Sequence, residues 1–187
     1  MFGGRGKSRV VVATVVLGLR DPGGQTILPR LQQLARQLAD SGRTMEAAAD
    51  ALAQVVSILL DHEDSWDSVA TWGEVFNREE DAAAYASEVF ADLMLRYQGG
   101  TQEEPSVETL PSRHVVVALT VGYPGHEPAI ESDLTDDAAL RLALSAIGML
   151  AADERLLLVQ LHHLPTAAGH PFSDDQMLVA FPELVNL

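Results

Sequence analysis

Six histidines and two clusters of carboxylates are the residues of this chain whose types could do chemistry. His126 and Glu127 share a loop with Glu131 close behind. His162 and His163 are adjacent, and His170 follows between Gly169 and Pro171. If these loops met, His163, His170 and a carboxylate could hold a divalent metal, with His126 as a further donor. The adjacent pair works against a shared ion, because neighbours in a strand point to opposite faces. Histidines of this kind more often end as surface or hydrogen-bonded groups. His126, His163 and His170 are therefore metal candidates only, and no catalytic or cofactor-binding residue is assigned.

Asp61, Glu63 and Asp64 form one carboxylate cluster, and Asp133, Asp136 and Asp137 form another. Paired carboxylates do acid–base work where burial separates their pKa values. At helix ends they ordinarily serve as caps and solvated charge. Gly6-Lys7-Ser8 matches only the end of a phosphate loop. The glycine that should stand five residues earlier is Met1, and a strand follows where a helix is needed. No serine sits in a nucleophile elbow. Trp66 and Trp72 could present a face to a partner, although tryptophans are more often core.

These residues must be positioned by a chain of 187 residues with a net charge of −15 and no cysteine. The length fits a single domain, taken here as residues 1–187. The missing cysteines remove disulfides, thiolate nucleophiles and cysteine-ligated metals. The negative charge repels phosphate backbones and anionic lipid, which argues against nucleic acid and a bare membrane surface. The apolar run Val10–Leu17 is too short to span a bilayer and lacks a small-residue cleavage site after it. A cytoplasmic protein with a flexible stretch at residues 1–7 is the resulting expectation.

Strands and helices follow from the patterning. Val10–Leu19 and His114–Tyr123 are near-continuous apolar runs closed by Pro-Gly turns, as expected of strands buried on both faces. Ile27–Leu38 places Leu31, Leu34, Ala35 and Leu38 on one helical face. A second helix is capped by Thr44 and carries apolar doublets every four residues. Ser65–Gly73 reads as a strand with Trp66, Ser68, Ala70 and Trp72 on one face. Asn77 with Glu80 reads as a capping box opening a helix through Leu93. Residues 98–111 are polar and breaker-rich, a linker. Thr135-Asp136-Asp137 opens another helix, Leu156–Leu164 is a strand, and Ser173 with Gln176 is a capping box before a short helix ended by Pro182.

The chain also repeats itself. "SRVVVATVVLG" at Ser8 returns as "SRHVVVALTVG" at Ser112, and Thr44–Ala48 returns as Thr135–Ala139. Halves of about 8–97 and 112–187 then each read strand–helix–strand–helix, with one helix inserted in the first. Two such copies should interleave into a four-stranded, ferredoxin-like α+β sheet covered by helices, with the opening strands as central neighbours.

Several stretches together resemble the DUF1517 family of cyanobacteria, chloroplasts and other bacteria. They are the opening strand, "LQQLARQLAD", "LLDHEDSW", "HVVVALTVG" and "FSDDQMLVAFPEL". The resemblance implies no assigned activity and no catalytic residues. Photosynthetic members carry a hydrophobic, Gly-rich region before this domain and associate with membranes. Here "MFGGRGK" stands in that place, a departure from the pattern.

The functional expectation is a non-enzymatic protein-interaction or regulatory module, acting through a protein partner, membrane-associated or not, or through self-association. The alternative is a small-molecule or metal binder, or an enzyme, with its site between the two halves. No cofactor is called for by either reading.

Overall fold

The computed structural model describes residues 9–21, 26–40, 44–100, 114–164 and 172–187. Residues 1–8, most of the linker and His170 lie outside them. The two valine-rich runs form β1 (Val10–Arg20) and β3 (His114–Pro124), antiparallel neighbours over their whole length. β2 (Trp66–Phe76) flanks β1, β4 (Leu158–Leu164) flanks β3, and β5 (Val185–Asn186) adds two residues beyond β2. The order is β4-β3-β1-β2-β5, all antiparallel.

Helices cover both faces. On one lie α1 (Leu28–Asp40), α2 (Met45–Asp61), the single turn α4 (Pro128–Glu131) and α5 (Asp137–Ala152). On the other lie α3 (Glu79–Gly100) and α6 (Asp174–Ala180). This is why β1 and β3 carry apolar residues at nearly every position. Val11, Val15 and Leu17 face the first layer of helices, while Val12 and Val16 face the second. An antiparallel strand shows simple alternation only when one face is wet.

The protein is α+β with the opening strands as central neighbours, as expected. A four-stranded ferredoxin-like sheet is not what forms. Among the described residues the sheet has five strands, and each half's second strand lies directly beside its first and antiparallel to it. β2 starts opposite Leu19, where β1 ends, and β4 starts opposite Gly122, near the end of β3. The chain between them therefore passes out along the sheet and back. In an interleaved sheet a single helical pass would leave each second strand parallel to its first, with a strand of the other half between them. In the first half α1 and α2 make the two passes. In the second, the segment with α4 goes out and α5 returns.

Local signals explain most of the boundaries. The Thr44 hydroxyl accepts from Ala47 N–H at 3.2 Å, and Asp136, not Thr135, caps α5 through Ala139 N–H at 2.8 Å. The Ser173–Gln176 capping box forms in both directions. Buried Asp21 accepts from Ile27 and Leu28 N–H, tying the start of α1 to the end of β1. The Asn77 box does not form. α3 starts at Glu79, with the Arg78 carbonyl accepting the first helical bond and its guanidinium held by Glu80. α3 also runs through Gly99-Gly100, and residues 101–111 of the expected linker lie outside the described residues.

A register shift between Gly18 and Leu19 marks a bulge at Asp67. It turns Trp66 into the α2 side, with its indole N–H donating to Leu59 O at 3.0 Å. Trp72 packs on the opposite layer. The expected shared tryptophan face is thereby overturned, since strict alternation fails at a bulge.

At the centre of the sheet, Thr14 and Thr120 are paired across the strands, fully buried, with their hydroxyls 3.0 Å apart. Thr14→Val should cost about 1–3 kcal/mol, because it leaves the Thr120 hydroxyl buried without its partner. The Thr14→Val/Thr120→Val protein should return close to wild type. Denaturant unfolding of the two single variants and the double variant reads this directly, and an additive double variant would exclude the coupling.

Candidate functional site

A pocket of definite chemical character lies between the first half's helices and the second half's edge of the sheet. It has a volume of about 430 Å³. Leu31, Leu34 and Ala35 of α1 form one wall, and Ala51 and Val55 of α2 form another. Val117 and Leu119 of β3 are its floor, with Leu161 and His163 from β4. The deep residues Leu31, Leu34, Val55, Val117 and Leu119 are buried, whereas Ala35 is exposed and marks the mouth. The stripe on α1 that the sequence reveals is thus the wall of a pocket rather than a fully packed seam.

Strand alternation decides which histidine faces this space. His163 pairs with Val117 and Leu161 with Leu119, so both stand on the α1–α2 side. His162 also borders the pocket, but its ring lies on the other face, 4.3 Å from the ring of Phe90 in α3. Burial, with a smaller contribution from His163, pushes the His162 imidazole down to about 4. Its Nε2 is buried without a hydrogen-bond partner, as is Gln160 Oε1 two residues earlier.

Of the metal candidates, His126 and His163 lie far apart, and His170 lies outside the described residues. Gly125, at φ +99°, turns the chain after β3, and its N–H donates to Arg9 O. This places His126 beyond Pro124, whereas His163 sits opposite Val117. Seven residues of strand separate those positions, about 23 Å. His126 is instead held by Glu131, with Nδ1 2.7 Å from Oε2. Glu131 also accepts from Glu127 N–H at 2.7 Å and from the Tyr123 hydroxyl at 3.2 Å. Burial pushes the Glu131 carboxyl up, but these donors together outweigh it and hold it below the usual range. Burial and the Glu131 charge push the Tyr123 phenol well up. Glu131's contribution to stability is therefore present above about pH 4.5 and is lost as pH falls through its lower folded value. A Glu131→Gln protein should show a shallower loss of stability in that acid range, measured as denaturation midpoint against pH. Among the described residues, no three His, Asp or Glu side chains are placed to hold a metal ion.

The carboxylate clusters also resolve into structural roles. Glu63 is gripped by Arg141 of α5, with Nε 2.6 Å from Oε1 and a second bond from the other guanidinium nitrogen. That bidentate pair lowers the Glu63 carboxyl, chiefly through the Arg141 hydrogen bonds. Asp136 is a helix cap, and Asp133, Asp137, Asp61 and Asp64 are exposed.

A buried polar constellation was not legible from spacing. His114, only 3% exposed, opens β3 with Nε2 2.5 Å from Asp174 Oδ1 of α6. Its Nδ1 faces Asp67 Oδ2 at 3.6 Å, beyond hydrogen-bond reach, while Asp67 Oδ1 is 2.5 Å from Arg20 Nε. Partners 47 and 60 residues away in sequence leave no local trace. The available sign was a histidine opening a strand that is apolar at nearly every other position.

Fold and pocket together define an antiparallel α+β protein with helices on both faces and an aliphatic pocket on one. The sequence profile of the family described as "protein of unknown function (DUF1517)" matches residues 9–187, and the chain belongs to that family. No curated protein and no solved structure matches it. Among the described residues, no helix is long and apolar enough to cross a membrane.

Proposed function

We propose that the protein is a non-enzymatic binding module of regulatory type, whose working part is the pocket under α1. The observation that carries this reading is the pocket itself. A volume of about 430 Å³ falls within the roughly 300–1,000 Å³ of small-molecule sites. Its walls come from α1 and α2 in the first half and from β3 and β4 in the second, which is where a ligand could report on their relative placement. The reading also favours an internal duplication, supported by the central antiparallel pair β1–β3 and the similarly capped α2 and α5. A neutral hydrophobic fluorophore such as N-phenylnaphthylamine should bind saturably at one site per chain. Ala35→Trp, which plugs the mouth at an exposed position, should abolish that binding while leaving the unfolding midpoint unchanged. Absent or unsaturable binding would defeat the proposal.

A second reading, self-association, rests on α6. Leu178 and Val179 are adjacent there and 72% and 77% exposed, with Val185 of β5 also exposed at 63%. Apolar side chains this open are the usual substance of protein contacts. The chain's charge of −15 opposes self-association at low salt. Sedimentation should therefore show dimers strengthening with salt, and Leu178→Ser/Val179→Ser should remain monomeric. A wild-type protein that stays monomeric at high salt excludes this contact.

A further inference from the structure

We infer that the ligand of the α1 pocket is a neutral single-chain lipid, an aliphatic or isoprenoid chain ending in one hydrogen-bonding group such as an alcohol or carbonyl. This rests on the proposal that the pocket is a binding site and adds the chemistry of its occupant. Among the described residues, the walls are leucine, valine and alanine, with no aromatic ring other than imidazole and no Asp, Glu, Lys or Arg. Branched aliphatic walls suit a flexible hydrocarbon chain better than a flat ring system, which gains most from stacking on aromatic faces.

The head group is decided by charge. Among the described residues, the polar side chain facing the pocket is His163, level with Val117 on the floor. Imidazole nitrogens donate to or accept from a neutral hydroxyl or carbonyl. A carboxylate or phosphate would need a fixed cation when taken out of water. The arginines of α1 do not supply one: Arg30 and Arg36 are exposed and neither lines the pocket. The surrounding protein field, set by 27 acidic against 12 basic residues, disfavours an anion further. A quaternary amine would find no aromatic cage or carboxylate in the lining.

The seat also explains the small residues. Ala51 of α2 is buried and Ala35 of α1 stands at the mouth, each where a longer side chain would occupy the space. The chain end of the ligand would lie against Leu31, Leu34 and Val55, with its head toward His163 near the edge of the sheet.

Decanol and decanoic acid at neutral pH, displacing bound N-phenylnaphthylamine from the full chain, test the assignment. Decanol should displace the fluorophore, and decanoate should bind roughly tenfold more weakly or worse, since its charge is buried without a partner. His163→Phe keeps a ring of similar shape and should retain the fluorophore while weakening decanol by roughly fivefold, the worth of one neutral hydrogen bond. If decanoate competes as well as decanol, the neutral head group is wrong although the pocket stands. If His163→Phe leaves decanol unchanged, the head does not lie at His163. If neither the fluorophore nor decanol binds, the pocket reading itself fails.

Discussion

Replacing His114 with alanine is expected to lower the unfolding free energy by about 3 kcal/mol, among the largest losses any polar position of this protein should give. The ring is 3% exposed and bonded at 2.5 Å to the Asp174 carboxylate. Hydrogen bonds to charged groups are worth about 1.5–3 kcal/mol, and truncation adds an unfilled space. The same residue exchanges both backbone hydrogen bonds with Phe172, at 2.9 and 3.0 Å. Phe172 meets Phe181 edge-on at a centroid distance of 5.7 Å, and both are buried. His114 is therefore the polar pin that holds α6 and its flanking aromatics to the start of β3.

The control is Asp174→Ala. Asp174 is 65% exposed on its side chain, so water replaces part of what it gives up, but the buried His114 Nε2 loses its acceptor, and the loss should be about 1–2 kcal/mol. A loss of about 3 kcal/mol in both variants would mean that the hydrogen bond, not the packing of the buried ring, carries the effect. A loss below about 1 kcal/mol for His114→Ala would remove the pin altogether. Hydrogen exchange separates local from global effects. In His114→Ala the amides of α6 should exchange faster than those of β1, because only the C-terminal element loses its tie.

The elements that could be read from the chain are those whose signals are local. β1 and β3 announce themselves as apolar runs bounded by turns, and α2 by its doublets and the Thr44 cap. The sheet order was partly legible, because two strands that are apolar at nearly every position must both be central. What escaped depended on contacts between distant residues. The bulge at Asp67 adds one residue to the register and moves Trp66 to the other face, and nothing in "SWDSVATW" encodes it. β5 is two residues long and exists only because β2 offers Ser68 and Val69 as partners. The carboxylates near Asp61 looked like a possible pair, but Glu63 has its arginine 78 residues away in α5. The α1 stripe was visible as Leu31, Leu34 and Ala35, yet periodicity cannot say whether the facing layer fills the space or leaves a pocket. His163 was singled out for a metal with His170, which lies outside the described residues; among those described, His163 stands beside an aliphatic wall on the face opposite His162.

That separation of neighbouring histidines leads to the second large effect, which is an acid sensitivity centred on His162. Its folded pKa is about 4 against an ordinary 6.5, because burial against α3 penalises the charged ring. The unfolded chain takes up a proton as pH falls through 6.5, and the folded protein does so only near 4. Between those values the unfolded state binds more protons, so stability falls as pH is lowered. It is unaffected above the window and fully reduced below it. Each pH unit of difference corresponds to about 1.4 kcal/mol, and the partial exposure of the ring trims the total to about 2–3 kcal/mol. His162→Phe keeps the ring contact with Phe90 and removes the titrating group. Unfolding free energies of the two proteins should therefore run parallel above pH 6.5 and diverge between 6.5 and 4, the wild type losing more. Carboxylates such as Glu131 and Glu63 act at the acid end of this range and below, and they act equally in both proteins, so the difference curve isolates the imidazole. Parallel curves throughout would mean that the folded protein lets His162 protonate freely, which would require its ring to leave Phe90 for solvent and would open the edge of the sheet beside the pocket.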